Sequence, residues 1–258
     1  MANYHLEVST ISRGHGRSIT KVISYISGKK LRDHYNNITC YSQRRDVLYC
    51  KIFQPDKAPP YFNKLQNLCD EIDKAERRYD ARTAREFKCS LPNELPSHEL
   101  IQIVTDYIED NFVNHGLCAV AAIHEGRNEN DPSKNNPHVH IIVPTRSVET
   151  DGFSKKKDRE WDNKKYIGIW REQWAIVQNR AYERNGLDIR VSHETLEVQG
   201  KKDREPTIHL CLADFQKEKR GEHTIAGDRK RAIAARNNER IRQRQLEREH
   251  SLSYELSR

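Results

Sequence analysis

Two apolar runs, LCAVAAIHE (117–125) and HVHIIVPTR (138–146), flank GRNENDPSKNNP, a segment made almost wholly of turn-forming residues. No other pattern constrains the chain as strongly. Each run has strand length and is rich in small or β-branched apolar residues, so the pair predicts a β-hairpin with a longer loop than most hairpins have. Strand alternation puts His138 and His140 on one face and sends Val139, Ile141 and Val143 into a core on the other. His124 ends the first strand, and in a hairpin it lies across from residues 138–140. Pro137 helps fix the entry to the second strand. The three imidazoles therefore converge, and three neutral imidazoles can hold a divalent ion with coordination positions left open. An open position lets the ion polarise a substrate oxygen. An H-x-H pair alone recurs by chance, and it is the third histidine that makes a metal site of it. The other nine of the 12 histidines have no such support and are expected to be surface or hydrogen-bonded groups.

The rest of the chain alternates strands and helices. Residues 3–11 read as a strand. SRGHGRS follows as a loop, and Ser18 can cap a helix striped by Ile19, Val22, Ile23 and Ile26 and ended by Gly28. Residues 46–53 form the next expected strand. Pro59-Pro60 opens an expected helix to about Arg78, with Phe62, Leu65, Leu68, Cys69 and Ile72 inward. A strand at 83–91 and a helix begun by Ser97 come next, and after the hairpin a long helix runs to about Asn185. A hairpin within such an alternation indicates α+β, with helices packed on a mainly antiparallel sheet.

From about residue 213 the pattern changes. Residues 217–249 hold eleven Lys/Arg against six Asp/Glu with few apolar positions, as in a solvated helix or a disordered tail. A chain of 258 residues allows one large domain, or one domain with an appendage. Its net charge of +7 favours a polyanionic partner. No apolar run reaches the length of a membrane span, and the N-terminus lacks a signal-peptide pattern. The six cysteines include no C-x-x-C pair and are expected to be reduced and structural in a cytoplasm. Positive charge is densest from Ser12 to Arg45, where Arg13, Arg17, Lys21, Lys29, Lys30, Arg32, Arg44 and Arg45 face a single acid, Asp33. Such a patch can neutralise several phosphates, and Arg13, Arg17, Lys21, Lys29, Lys30 and Arg32 are the candidate DNA-binding residues. Tyr25 sits among them on the first helix. Spacing and charge do not select it from the 11 tyrosines.

Four stretches, taken in order, resemble the MobA/MobL family of plasmid mobilisation relaxases, part of the histidine-cluster (HUH-type) endonucleases. They are NYHLEVSTISRGHGRSITKVISYISG, AREFKCSLPNEL, the pair AAIHEG and NPHVHIIVPTR, and WREQWAIVQNRAYERNGLDIRVSHETLEVQG. Together they span about residues 2 to 210. The resemblance implies a five-stranded antiparallel sheet flanked by helices, a nuclease domain at 1–210 and a charged helical extension at 211–258 for DNA or a partner. It implies strand- and site-specific nicking at a transfer origin through a 5′-phosphotyrosyl intermediate, with Tyr25 as nucleophile. His124, His138 and His140 would bind Mn²⁺ or Mg²⁺, although imidazoles alone suit Zn²⁺ or another borderline ion. Glu86 matches a family carboxylate on the middle strand and would orient a metal-bound histidine. The implied partners are single-stranded or hairpin origin DNA in a bacterial cytoplasm, with accessory relaxosome proteins and a coupling protein as further candidates. Two departures stand out: the loop 126–136 is longer than the family's compact version, and the chain stops soon after its charged tail, as a minimal nicking protein or a fragment would. Three other readings compete with the relaxase: a catalytically silent DNA-binding protein on the same fold, a three-histidine metallohydrolase, and a rolling-circle initiator. An initiator would carry its tyrosine after the H-x-H motif.

Overall fold

The computed structural model describes residues 4–128, 131, 135–201, 204–208 and 210–256. Along the chain come β1 (Leu6–Ser12), α1 (Ile19–Ser27), β2 (Leu31–Asp33), β3 (Ile38–Cys40), β4 (Val47–Phe53), α2 (Leu65–Ala75), β5 (Arg82–Ser90) and α3 (Ser97–Asn111). They are followed by β6 (Ala119–His124), β7 (His138–Pro144), β8 (Val148–Glu149), β9 (Gly152–Phe153), α4 (Lys165–Arg184), α5 (Leu212–Lys219) and α6 (Ile225–Leu256). Five strands form one sheet in the order β1-β5-β7-β6-β4, and every neighbouring pair is antiparallel. The chain is thus α+β with a five-stranded antiparallel sheet, as expected. The expected hairpin forms as β6 and β7, although residues 129–130 and 132–134 of its loop lie outside the described residues.

Strand alternation builds two cores. Phe87, Cys89, Ala121, Ile123, Val139, Ile141 and Val143 face α3 and α4, where Tyr107, Phe112, Trp170 and Trp174 fill the space between. On the opposite face Ile11, Ala84, Val120, Ala122 and Ile142 meet Ile19, Ile23 and Ile26 of α1 and Leu68, Cys69 and Ile72 of α2. Both faces are apolar and buried because each is covered by a helix pair. Ser18 caps α1, its side chain accepting from the Lys21 N–H at 3.1 Å. Gly28 ends α1 at φ +70, a conformation that favours glycine.

Several elements differ from expectation. The helix opened by Pro59-Pro60 is a short 3₁₀ turn at Pro60–Asn63, broken by extended backbone at Lys64 (φ −107, ψ 125) before α2 begins. α2 stops at Ala75 rather than near Arg78, because Glu76 turns inward. Its buried carboxylate accepts from Thr145 (3.1 Å), Arg146 (2.8 Å) and Lys157 (2.8 Å). The hairpins β2–β3 and β8–β9 were not anticipated.

The chain divides into two compact units, Met1–His193 and Glu194–Arg258, upstream of the expected boundary at residue 210. Val191 is the last residue packed into the core of the first unit. Within the second unit the charged stretch is helical. Glu218 accepts from the Thr224 N–H (2.7 Å) and pairs with Arg231, and Glu205 holds Arg236 (2.7 Å) and Arg240 (3.0 Å). Among the described residues, no helix is long and apolar enough to cross a membrane. All six cysteines are free thiols.

Candidate metal and nucleophile site

His124 at the end of β6 pairs directly with His138 at the start of β7. His140 lies two residues on, so alternation brings it to the same face, the one that α1 covers. The ring centroids are 4.9–5.4 Å apart. One nitrogen from each ring lies within 4.8 Å of the other two.

Each imidazole is held by its other nitrogen. His124 Nε2 bonds the Ile26 carbonyl at 2.7 Å, His138 Nδ1 bonds the Asn136 carbonyl at 2.8 Å, and His140 Nδ1 meets Glu86 Oε1 at 3.0 Å. A carbonyl accepts only from an N–H, which fixes the tautomers of His124 and His138. A carboxylate does the same for His140. The three free lone pairs are then His124 Nδ1, His138 Nε2 and His140 Nε2. His124 is fully buried, and its Nδ1 has no hydrogen-bond partner. An orphaned buried acceptor costs about 1–3 kcal/mol, a cost that a ligand at that atom would remove. Burial pushes the His124 ring down to about 4, with Arg44 and the neighbouring imidazoles adding to the effect against the Ile26 bond. Burial likewise lowers His138. Both rings are therefore neutral near pH 7, the form that binds a cation. The donor set fits a divalent ion.

Glu86 sits on β5 beside β7 and is almost fully buried. Burial opposes its charge, but hydrogen bonds from His140 and Arg17 outweigh that and bring it down to about 2. It is ionised wherever the protein is folded near neutrality. Its second oxygen takes Arg17 and, at 3.5 Å, Ser9. Arg17, expected to grip phosphate, is thus ion-paired at this carboxylate. Arg13 is likewise corrected: its guanidinium pairs with Asp73 at 2.6 Å, bonds the Glu76 and Arg78 carbonyls, and lies 3.7 Å from the Tyr35 ring centroid. Its side chain is only 6% exposed, which makes it a strut between β1 and α2 rather than a surface cation. Lys21, Lys29 and Lys30 are exposed, and Arg32 is half-buried with bonds to Asn37 and Thr39 (3.1 Å).

Tyr25 lies on α1 directly before Ile26, whose carbonyl holds His124. Its side chain is 53% exposed. The Arg44 guanidinium lies 4.8 Å from its ring centroid, Asp46 grips that guanidinium through both oxygens at 2.9 Å, and Ser42 donates to the Tyr25 carbonyl at 3.2 Å. Asp46 directly precedes Val47, which pairs with His124 across β4 and β6. In the sequence Arg44 is one more positive charge, and nothing by itself marks Asp46. The R-x-D spacing just before a strand was the signal, but it acquires meaning only when β4 lies beside β6.

The model of the MobA/MobL family matches residues 17–220. A probable mobilization protein MobA of Bifidobacterium longum is 30% identical, with 81% of this chain and 43% of that protein aligned. The mobilization protein MobL of Acidithiobacillus ferridurans is 27% identical over 81% of this chain and 62% of its own length. The chain therefore spans less than two thirds of either relative. A protein solved for the molecular basis of vancomycin resistance transfer in Staphylococcus aureus superposes with a TM-score of 0.68 at 26% identity, covering 75% of this chain and all of that one. The family match runs from α1 through the histidine cluster and α4 into α5; four of the five sheet strands, the paired histidines and the covering helix lie within it, and β1 precedes it. The chain belongs to the MobA/MobL family.

Proposed function

We propose that this chain is a DNA relaxase: it nicks one strand at a transfer origin and keeps the 5′ end on Tyr25. The observation that carries the reading is the pairing of three aimed imidazole lone pairs with an exposed tyrosine on the helix that anchors His124. A DNA-binding protein without chemistry needs neither feature. A hydrolase that activates water would not need the phenol, and the relatives are mobilization proteins.

A divalent ion on His124 Nδ1, His138 Nε2 and His140 Nε2 would offset charge building on the scissile phosphate. Mn²⁺ or Mg²⁺ agrees with the family resemblance, and the all-nitrogen donor set also admits borderline ions. Glu86 holds the His140 ring in its ligating orientation. Arg44, clamped by Asp46, steadies the Tyr25 ring and adds positive charge where a phosphate would approach. Tyr25 Oη forms the new bond to phosphorus as the P–O3′ bond breaks; the phenol loses a proton and the 3′ oxygen gains one. Because one ester replaces another, the reverse reaction rejoins the strand without an external energy source. Lys21, Lys29, Lys30 and Arg32 bind the strand by charge, and origin choice rests on base contacts and DNA shape. Residues 211–258 serve as a charged extension for DNA or a partner protein.

Incubation with Mn²⁺ and single-stranded oligonucleotides tiling the DNA that flanks the gene should give a covalent adduct on denaturing gels, and Tyr25→Phe should abolish it. An adduct that survives in Tyr25→Phe assigns the chemistry to another tyrosine. Tyr4 is poorly placed for that: its hydroxyl donates to the Arg171 carbonyl at 2.6 Å and it packs on the α3/α4 side of the sheet. Tyr35, which is exposed, is then the next to test.

A further inference from the structure

A cavity of about 360 Å³ opens between the end of α1, the outer edge of β4 and the start of α2. Lys29, Lys30 and Lys64 line it together with Cys50, Ile52 and Gln66, and no carboxylate does. The three lysines are exposed, and none has an ion pair among the described residues. Lys51 also borders the cavity, its ammonium 4.7 Å from the Phe53 ring centroid. Like charges gathered around a concavity repel one another, and the chain supplies no counter-charge at the wall. A polyanion seated there relieves that repulsion.

Two features narrow the polyanion to a nucleic-acid strand. The Lys30 ammonium lies 5.1 Å from the ring centroid of Tyr41, whose side chain is 70% exposed. An exposed aromatic ring with a lysine beside it is the pairing on which single strands stack bases and anchor phosphates. The second feature is position. Gly28, at φ +70, turns the chain out of α1 into Lys29 close beside Val47: a Cβ there would lie 3.6 Å from the Val47 side chain. Val47 is the strand partner of His124. Lys51, on the cavity's border, is four residues further along β4, about 13 Å at ~3.3 Å per residue. A phosphate at the Lys51 end of the cavity is therefore not the one that Tyr25 would attack.

We infer that this cavity seats backbone phosphates of the DNA strand a short way from the cut, with Tyr41 stacking a base at its rim. The identity of the strand rests on the relaxase reading above; the cavity's preference for phosphate does not. The site is indifferent to sequence and contributes affinity that salt removes.

The test is fluorescence anisotropy with single-stranded DNA of graded length in EDTA, where no cleavage occurs, at several salt concentrations. Lys29→Gln/Lys30→Gln/Lys64→Gln should bind long oligonucleotides more weakly. Its plot of log affinity against log salt should be shallower by about 2, at ~0.7 per lost single-strand contact. The deficit should vanish with oligonucleotides too short to reach the cavity. Lys64→Gln alone, a single exposed change, should lower the slope by about 0.7 if the triple variant melts early. An unchanged slope and affinity in both variants overturns the inference, as does tight binding of inorganic phosphate that leaves DNA binding untouched. The two proposals fail separately. A lowered slope with no covalent adduct on any oligonucleotide keeps the cavity and removes the nicking, and an adduct with an unchanged slope does the reverse.

Discussion

Glu86 takes a histidine on one oxygen and an arginine on the other while nearly excluded from water, so its removal is felt at the metal rather than at the surface. Glu86→Ala should weaken divalent-ion binding by about 10–100-fold in calorimetry, with Glu86→Gln closer to wild type because its amide oxygen can still accept from His140 Nδ1. Acid titration of the metal-free protein offers a second test. His124 titrates at about 4 folded against 6.5 for a free ring, so the unfolded chain binds the proton first. The stability of the neutral ring is complete above pH 6.5 and is lost as pH falls through 4. Glu86 adds a loss of the same sign between 4.5 and about 2. Urea midpoints should decline over the upper of these windows, and a flat profile there would contradict the neutral burial of His124. The three histidines were legible in the sequence because alternation and a hairpin suffice to gather them. Tyr25 and Glu86 were legible only through family likeness, since neither spacing nor charge distinguishes them. Arg13 was misread because its partner Asp73 is 60 residues away and a run of basic residues hides which of them turn inward.

Strands and most helices followed from periodicity because each buries one regular face. α2 was drawn too long at both ends, for its limits are set by an extended Lys64 and by the inward turn of Glu76, neither of which a hydrophobic stripe records. The β6–β7 connection carries a constraint of its own. Gly126 has φ +57, and its carbonyl accepts from the Asn136 N–H at 3.0 Å. A Cβ at Gly126 would fall 2.2 Å from the Asn136 oxygen, the atom that fixes the His138 ring. Gly126→Ala should therefore cost stability and also weaken metal binding. Gly116→Ala, at φ +78 with open space around it, should cost about 1–2 kcal/mol in denaturant melts and leave metal affinity unchanged. Equal metal affinity in the two variants would show that the Asn136 contact does not hold His138 in place.

Across the whole molecule, family likeness drew the first domain out to residue 210, whereas packing ends at His193. Likeness follows ancestry and compactness follows buried area, and the two need not share a border. Limited proteolysis should cut first between residues 194 and 211, leaving an N-terminal fragment that still binds divalent ions; loss of binding on cleavage would assign the second unit a part in the site. Saturating metal should also stabilise the folded chain, by about 2.7 kcal/mol at one hundred times the dissociation constant. The Ile26 carbonyl gives the molecule a further property. The most buried ring is hydrogen-bonded to the peptide just beyond the proposed nucleophile, while the other two rings are held from Asn136 and Glu86. A slide of α1 therefore pulls on His124 as it displaces Tyr25, and substitutions that loosen α1 should lower activity and metal affinity together.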